Sequence, residues 1–181
     1  VAADLCEYYG LEVPDLPEGL IGQIDQVLPP YWSRANPVDL VGENDPELPI
    51  RVIELLARWD GCDAVVNLGI MGRRHMLSRL AASVQKADPG CPGNILDETL
   101  SALDAFETRY ITHIADLMAS CQKPILGVSM LRDEKDKTVY TVAGRQHKGL
   151  FFPTPEQAVK SLAKLCEYQR FRQREAAGAG S

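Results

Sequence analysis

Long hydrophobic runs are missing from this sequence. No apolar stretch approaches the ~18 residues that a membrane-spanning helix needs, and no basic region precedes a short apolar one near residue 1. A soluble protein is expected. Positive charge is also scarce: 19 Lys and Arg against 25 Asp and Glu give a formal net charge of -6 and a pI near 5.1. That balance argues against an electrostatic grip on nucleic acid or on an anionic membrane, both of which require a basic face. The five cysteines, Cys6, Cys62, Cys91, Cys121 and Cys166, form no CxxC pair and are odd in number, which speaks against a disulfide framework and a zinc knuckle. A reducing cytoplasm fits best.

Catalytic signatures are equally sparse. No GxGxxG follows an expected strand and no Walker-type phosphate loop occurs, so nucleotide binding by this chain alone has no support. Ser33 and Ser129 lack the GxSxG setting of a nucleophile elbow. The three histidines, His75, His113 and His147, have no metal-ligand spacing among themselves. Asp39 lacks the acidic pair and the downstream Lys that would accompany a phospho-accepting aspartate. The charged run 132–137 mixes both signs and reads as a solvated loop.

What is present is an alternation of helical and strand-like patterns. A chain of 181 residues, 45% hydrophobic and 24% charged, suffices for one buried core and is short for two. One domain is expected over residues 1–173, followed by a flexible tail over 174–181. Ala2, Leu5, Cys6 and Tyr9 share a helical face, and Gly10 suits a left-handed stop. The chain is thus helical from its first residues, as expected of a fragment of a larger protein. Further helices are expected at 17–28, 49–59, about 72–86 and across a long stripe from Leu96 to Leu117. Strands are expected at 38–41, 63–68, 124–130 and 149–152. Thr154, Pro155 and Gln157 carry the signals of a capped helix start, and Ala158, Val159, Leu162, Leu165 and Cys166 form its apolar face. Alternation of this kind implies a mostly parallel, doubly wound sheet with helices on both faces, a flavodoxin-like α/β fold.

In such folds ligands bind beyond the carboxyl ends of the strands. Two segments there are polar or glycine-rich: residues 36–44, around the strand expected at 38–41, and Asn67 through Gly72, which leads from a strand into a helix. A helix entered through glycine offers backbone N–H groups at its positive end, a setting suited to phosphate or carboxylate. Glycine at such a turn is also required by the turn itself. Asn36 before Pro37 doubles as a turn starter, and His75, after Arg73 and Arg74, is a candidate for holding an anion.

The stretches LCEYYGLEVPDLPEGL (5–20), VLPPYWSRANPVDLVGE (27–43), CDAVVNLGIMG (62–72), KPILGVSM (123–130) and GLFFPTPEQAVKSLAKLCEYQRF (149–171) resemble, in this order, one domain of NDP-forming acyl-CoA synthetases. These belong to the succinyl-CoA ligase superfamily. The resemblance implies the second flavodoxin-like ligase domain of an enzyme that also carries a CoA-binding domain, a phosphohistidine-bearing domain and an ATP-grasp module. Such enzymes make or cleave acyl-CoA with ATP or ADP through acyl phosphate and phosphohistidine. The resemblance also implies that Asn36, Gly42, Asn67, Gly69 and Gly72 line a phosphate and acyl site, where backbone dipoles stabilise oxyanions. CoA, ATP and Mg are implied for the whole enzyme and none for this domain alone, which is expected to be inactive by itself. Homo-oligomerisation is compatible with the apolar residues of the long helix.

Three departures from the family pattern stand out. No Ser-His-Thr-Gly context is present, so none of the three histidines inherits the phosphohistidine role. Ile70 and Met71 separate Gly69 from Gly72, where the ligase loop has adjacent glycines, and Leu131, Arg132 and Asp133 stand where glycines are common. A different class of reading is a non-catalytic regulatory or assembly domain of an acyl-CoA-sensing protein, such as an acetyltransferase fusion.

Overall fold

A computed structural model describes residues 1–42, 45–88, 90, 94–129 and 137–178, the side chains of 94–96 excepted. Its centre is a sheet of four strands, β1 (Val65–Leu68), β2 (Ile125–Val128), β3 (Val139–Thr141) and β4 (Lys148–Phe152), in the order β1-β2-β4-β3. Strands β1, β2 and β4 are parallel, and β3 runs antiparallel to β4. The helices are α1 (Ala2–Tyr8), α2 (Glu18–Ile24), α3 (Glu47–Arg58), α4 (Arg73–Ala87), α5 (Asn94–Cys121) and α6 (Pro155–Gly178). This is the flavodoxin-like, doubly wound α/β class, mostly parallel, with helices on both faces of the sheet.

The side-chain alternation of the strands explains the layering. Val65, Ile125 and Phe151 face α3 and α5 and share a core with Ile53, Phe106, Tyr110 and Ile114. The intervening residue Leu126 is fully buried on the other face, where α6 lies and inserts Ala158, Val159 and Leu162. Burial of a Val or Leu side chain such as Val159 or Leu162 contributes about 1.5–3 kcal/mol through the surface it removes from water. Helix α1 packs on α6, and Tyr9 donates its hydroxyl to Oε1 of Glu156 at 3.3 Å.

Helix α3 is buried on two sides, which accounts for the width of its apolar stripe. Ile50, Ile53 and Ala57 join the core over the sheet, while Leu48 and Val52 join a second cluster with Leu20, Ile24 and Trp32. That cluster is anchored by Asp25, whose carboxylate accepts the Trp32 Nε1–H at 2.7 Å and the Arg34 Nε–H at 3.0 Å. These bonds, that of Trp32 foremost, hold the Asp25 carboxyl below its ordinary value against the opposing effect of burial. Gly61 lies under the Trp59 ring, and a Cβ there would come within 2.3 Å of Cζ2.

Several local signals are realised. Gly10 takes φ 74° after α1, with Leu11 N–H donating to Cys6 at 2.8 Å. Thr154 Oγ1 accepts the Gln157 N–H at 3.2 Å at the start of α6. Other expectations need correction. Residues 38–41 form no strand: Asp39 Oδ1 captures the Val41 N–H at 2.9 Å, and Val41 itself has φ 50°. A side chain that takes a backbone donor in this way offers a turn in place of a ladder. Helix α6 runs through Gly178, so residues 174–178, expected as part of a tail, are helical. Strand β3 was not expected, and the run 132–137 lies outside the described residues except for Lys137.

Candidate functional site

The carboxyl ends of β1, β2 and β4 point to one edge of the sheet, and the β1–α4 turn lies on that edge. Gly69 has φ 73° and donates its N–H to Val128 at 2.9 Å, which carries the β1–β2 ladder one step past the strand. Gly72 has φ 92° and ψ 0° and is the N-cap of α4. Both conformations are left-handed and favour glycine, so the two glycines are needed for the chain to leave β1 and enter α4. Between them Ile70 and Met71 are buried in the core, which explains the spacing between the glycines.

Beyond this turn opens a cleft of about 180 Å³. Gly72, Arg74 and His75 border it from the start of α4, Asp104 and Glu107 from α5, and Ser129 from the end of β2. The Gly72 N–H donates to Glu107 Oε1 at 3.1 Å, and Arg74 Nε meets Asp104 Oδ1 at 2.7 Å. Burial pushes the half-buried Glu107 carboxyl above its ordinary value; the Gly72 N–H opposes this, the nearby Asp104 adds to it, and His75 and Arg74 oppose it. The cleft thus combines a helix N-terminus, two basic side chains and two carboxylates.

The five residues expected to share a site fall into two places. Gly69 and Gly72 form the turn at the cleft, and Asn67 lies one step below it in β1. The side chain of Asn67 turns toward the sheet: its Nδ2 donates to Leu126 O at 2.9 Å, and its Oδ1 has no hydrogen-bond partner among the described residues. Asn67 therefore fastens β1 to β2 under the turn. Asn36 donates Nδ2 to Pro14 O at 3.0 Å and precedes a cis peptide bond to Pro37, while Gly42 occupies a turn at φ 72°. Their segment packs through Val38, Leu40 and Val41 on the α2–α3 cluster, separate from the core that holds Val65 and Met71. No described contact brings Asn36 or Gly42 to the cleft.

Of the histidines, His75 borders the cleft. His113 lies on α5 with its Nε2 buried and without a hydrogen-bond partner among the described residues, and His147 is half-buried just before β4. Glu107 was missed because hydropathy marks it only as a polar position of α5, 35 residues from Gly72. Glu43, Asn44 and residues 131–133 lie outside the described residues. Cys6, Cys62, Cys121 and Cys166 are free thiols, and among the described residues no cluster of His, Cys, Asp or Glu could hold a metal ion. No described helix is long and apolar enough to cross a membrane.

No protein-family model, no curated protein and no solved structure matches the chain.

Proposed function

We propose that this chain is a flavodoxin-like ligase domain of an NDP-forming acyl-CoA synthetase, contributing the β1–α4 turn to a phosphate and acyl site. CoA-binding, phosphohistidine-bearing and ATP-grasp domains complete that site in the cytoplasm. The observation that carries the reading is the pair of left-handed glycines, Gly69 and Gly72, at the carboxyl end of a central parallel strand and at the N-terminus of α4. That position suits an anion, and the resemblance of CDAVVNLGIMG to the ligase loop identifies the anion as phosphoryl or acyl phosphate. In the assembled enzyme ATP, with Mg on its phosphates, would supply the phosphoryl group and release ADP, and CoA would supply the thiol that accepts the acyl group. The residues of this chain hold and orient: the Gly72 N–H and the Arg74 guanidinium face a developing oxyanion, and no proton transfer is assigned to them. Glu107 and Asp104 hold these two donors in the structure and must release them to an incoming anion.

That internal occupancy favours a second reading, a regulatory or assembly domain that keeps the architecture of the ligase without its turnover. The test is CoA- and carboxylate-dependent release of ADP and phosphate by the full-length parent, with and without Gly69→Val. A loss of about a hundredfold with an unchanged circular dichroism spectrum supports the ligase reading. Saturable acyl-CoA binding without any turnover overturns it and leaves the regulatory one.

A further inference from the structure

The two faces of the sheet are unequally covered. Helices α3 and α5 pack on one face, whereas the main helix contact on the other comes from α6. Beside α6, over β4, runs an apolar groove of about 530 Å³ floored by Leu150 and Phe152 and walled by Leu165 and Tyr168. Val139, paired with Leu150 across the β4–β3 ladder, continues the apolar floor outward and is 44% exposed. The stripe also continues along α6 to Phe171, leaving Leu165, Tyr168 and Phe171 about half exposed or more. Ser161, Leu165, Tyr168 and Phe171 recur every three or four residues, the spacing of one helical face, and extend over ~15 Å at 1.5 Å per residue.

We propose that this groove docks an amphipathic α-helix of a partner protein, with an apolar stripe flanked by Asp and Glu. The shape argues for a helix, because the open lane lies alongside α6 and is bounded by a regular helical stripe. The charge argues for an acidic one. Lys160 and Lys164 border the groove, Lys164 in an exposed pair with Glu167 at 2.6 Å that water screens and a partner carboxylate can share. Helix α6 carries five Lys and Arg against three Glu in a chain whose formal net charge is -6. A second copy of this chain fits less well. Pairing α6 with its own copy sets like charges together. Among the described residues, two other helices expose large apolar or aromatic side chains. Helix α4, with Met76 and Leu80, contains Arg73, Arg74, Arg79 and Lys86 and no acidic residue, and α1, with Tyr8, is acidic but has only 7 residues and already packs on α6 of its own chain. The groove lies on the face opposite α3 and α5, so this proposal stands independently of the acyl-CoA synthetase reading.

The experiment titrates the 181-residue chain into a fluorescein-labelled peptide of about 14 residues, long enough for the stripe, with Leu at helical spacing and Glu on its flanks. A peptide with Lys in place of Glu is the control, and anisotropy is the readout. The expected result is saturable binding of the Glu peptide at least about tenfold tighter than the Lys peptide. Lys160→Glu with Lys164→Glu reverses that preference, and Leu165→Glu abolishes binding of both peptides. Tyr168→Ala, a milder change at an exposed position, weakens binding with an unaltered circular dichroism spectrum and guards against misfolding of the first variants. Absence of binding, or equal binding of both peptides, overturns the proposal. So does a concentration-dependent dimer in sedimentation that Leu165→Glu dissolves, since the occupant is then a second copy.

Discussion

Gly72 donates its backbone N–H to Oε1 of Glu107 over 3.1 Å, so the positive end of α4 is met by a carboxylate from α5. The bond joins two helices at the mouth of the cleft and places an acidic group where an external anion would sit. Burial nevertheless dominates the environment of Glu107 and raises its pKa in the folded chain.

The sign of the resulting pH dependence follows. A carboxyl whose folded pKa is raised contributes stability that is fully present below its unfolded value, about 4.3, and lost as pH rises through the folded value. Glu107→Gln keeps an acceptor for Gly72 and cannot ionise. Wild type and variant are expected to differ by a constant amount at acid pH. As pH rises past the unfolded value, wild type loses stability relative to the variant until the difference levels off. Urea titrations between pH 3.5 and 7.5 read the difference, and a pH-independent gap rejects the assignment.

Backbone conformation separates two glycines that look alike in sequence. Gly72 sits at φ 92°, and Gly72→Ala is expected to destabilise by about 1–2 kcal/mol, the strain of a left-handed residue with a Cβ. Gly22 lies inside α2 with open space around a built Cβ, so Gly22→Ala is expected to stabilise by about 0.5–1 kcal/mol. Chemical denaturation of both variants checks the opposite signs.

Gly127 is required for packing. A Cβ there would lie 2.2 Å from Phe151 Cδ1 and 3.2 Å from Asn67 Oδ1. Gly127→Ala should cost about 1–3 kcal/mol by overpacking, and Phe151→Leu in the same chain should recover part of that loss. A double-mutant cycle measures the coupling, expected to be about 0.5–3 kcal/mol. Additive losses refute the clash.

Tyr110 is fully buried between Phe106 and Phe151, with ring centroids 5.9 Å and 6.0 Å away, and its hydroxyl has no hydrogen-bond partner among the described residues. Tyr110→Phe keeps the ring and removes the unsatisfied group, so a gain of about 1 kcal/mol is expected. Burial also pushes the phenol pKa upward. The wild type should therefore lose stability relative to the variant as pH rises past the ordinary phenol value of about 10. Thermal melts at pH 7 and pH 10.5 test both parts.

Much of the architecture was legible in residue patterns. The spacing of Phe106, Tyr110, Ile114 and Leu117 marked α5, and the apolar run at Val65 and Val66 marked β1. The exposed and short β3 carried no comparable signal, because Val139, Tyr140 and Thr141 gain their order by pairing with β4. The segment 38–41 looked like a strand from its aliphatic residues, but the Asp39 bond to Val41 N–H is a local competitor that hydropathy does not register. The site divided similarly. Gly69 and Gly72 were recognisable as a turn, while the sheetward orientation of Asn67 depended on Leu126 of β2.

By itself the sequence determined what acts over a few residues: the Gly10 stop, the Thr154 cap, the alternating strands and the apolar stripes that make an α/β domain of this chain. Only the tertiary structure decided which polar groups meet. It set Glu107 against Gly72, drew Asn36 to Pro14 on the α2–α3 cluster and left the Leu165–Tyr168 side of α6 beside an open lane of the sheet. The reason is physical. Propensity, capping and periodicity are short-range and visible along the chain, whereas the pairing of distant polar groups depends on how the layers stack and which donors that stacking leaves exposed.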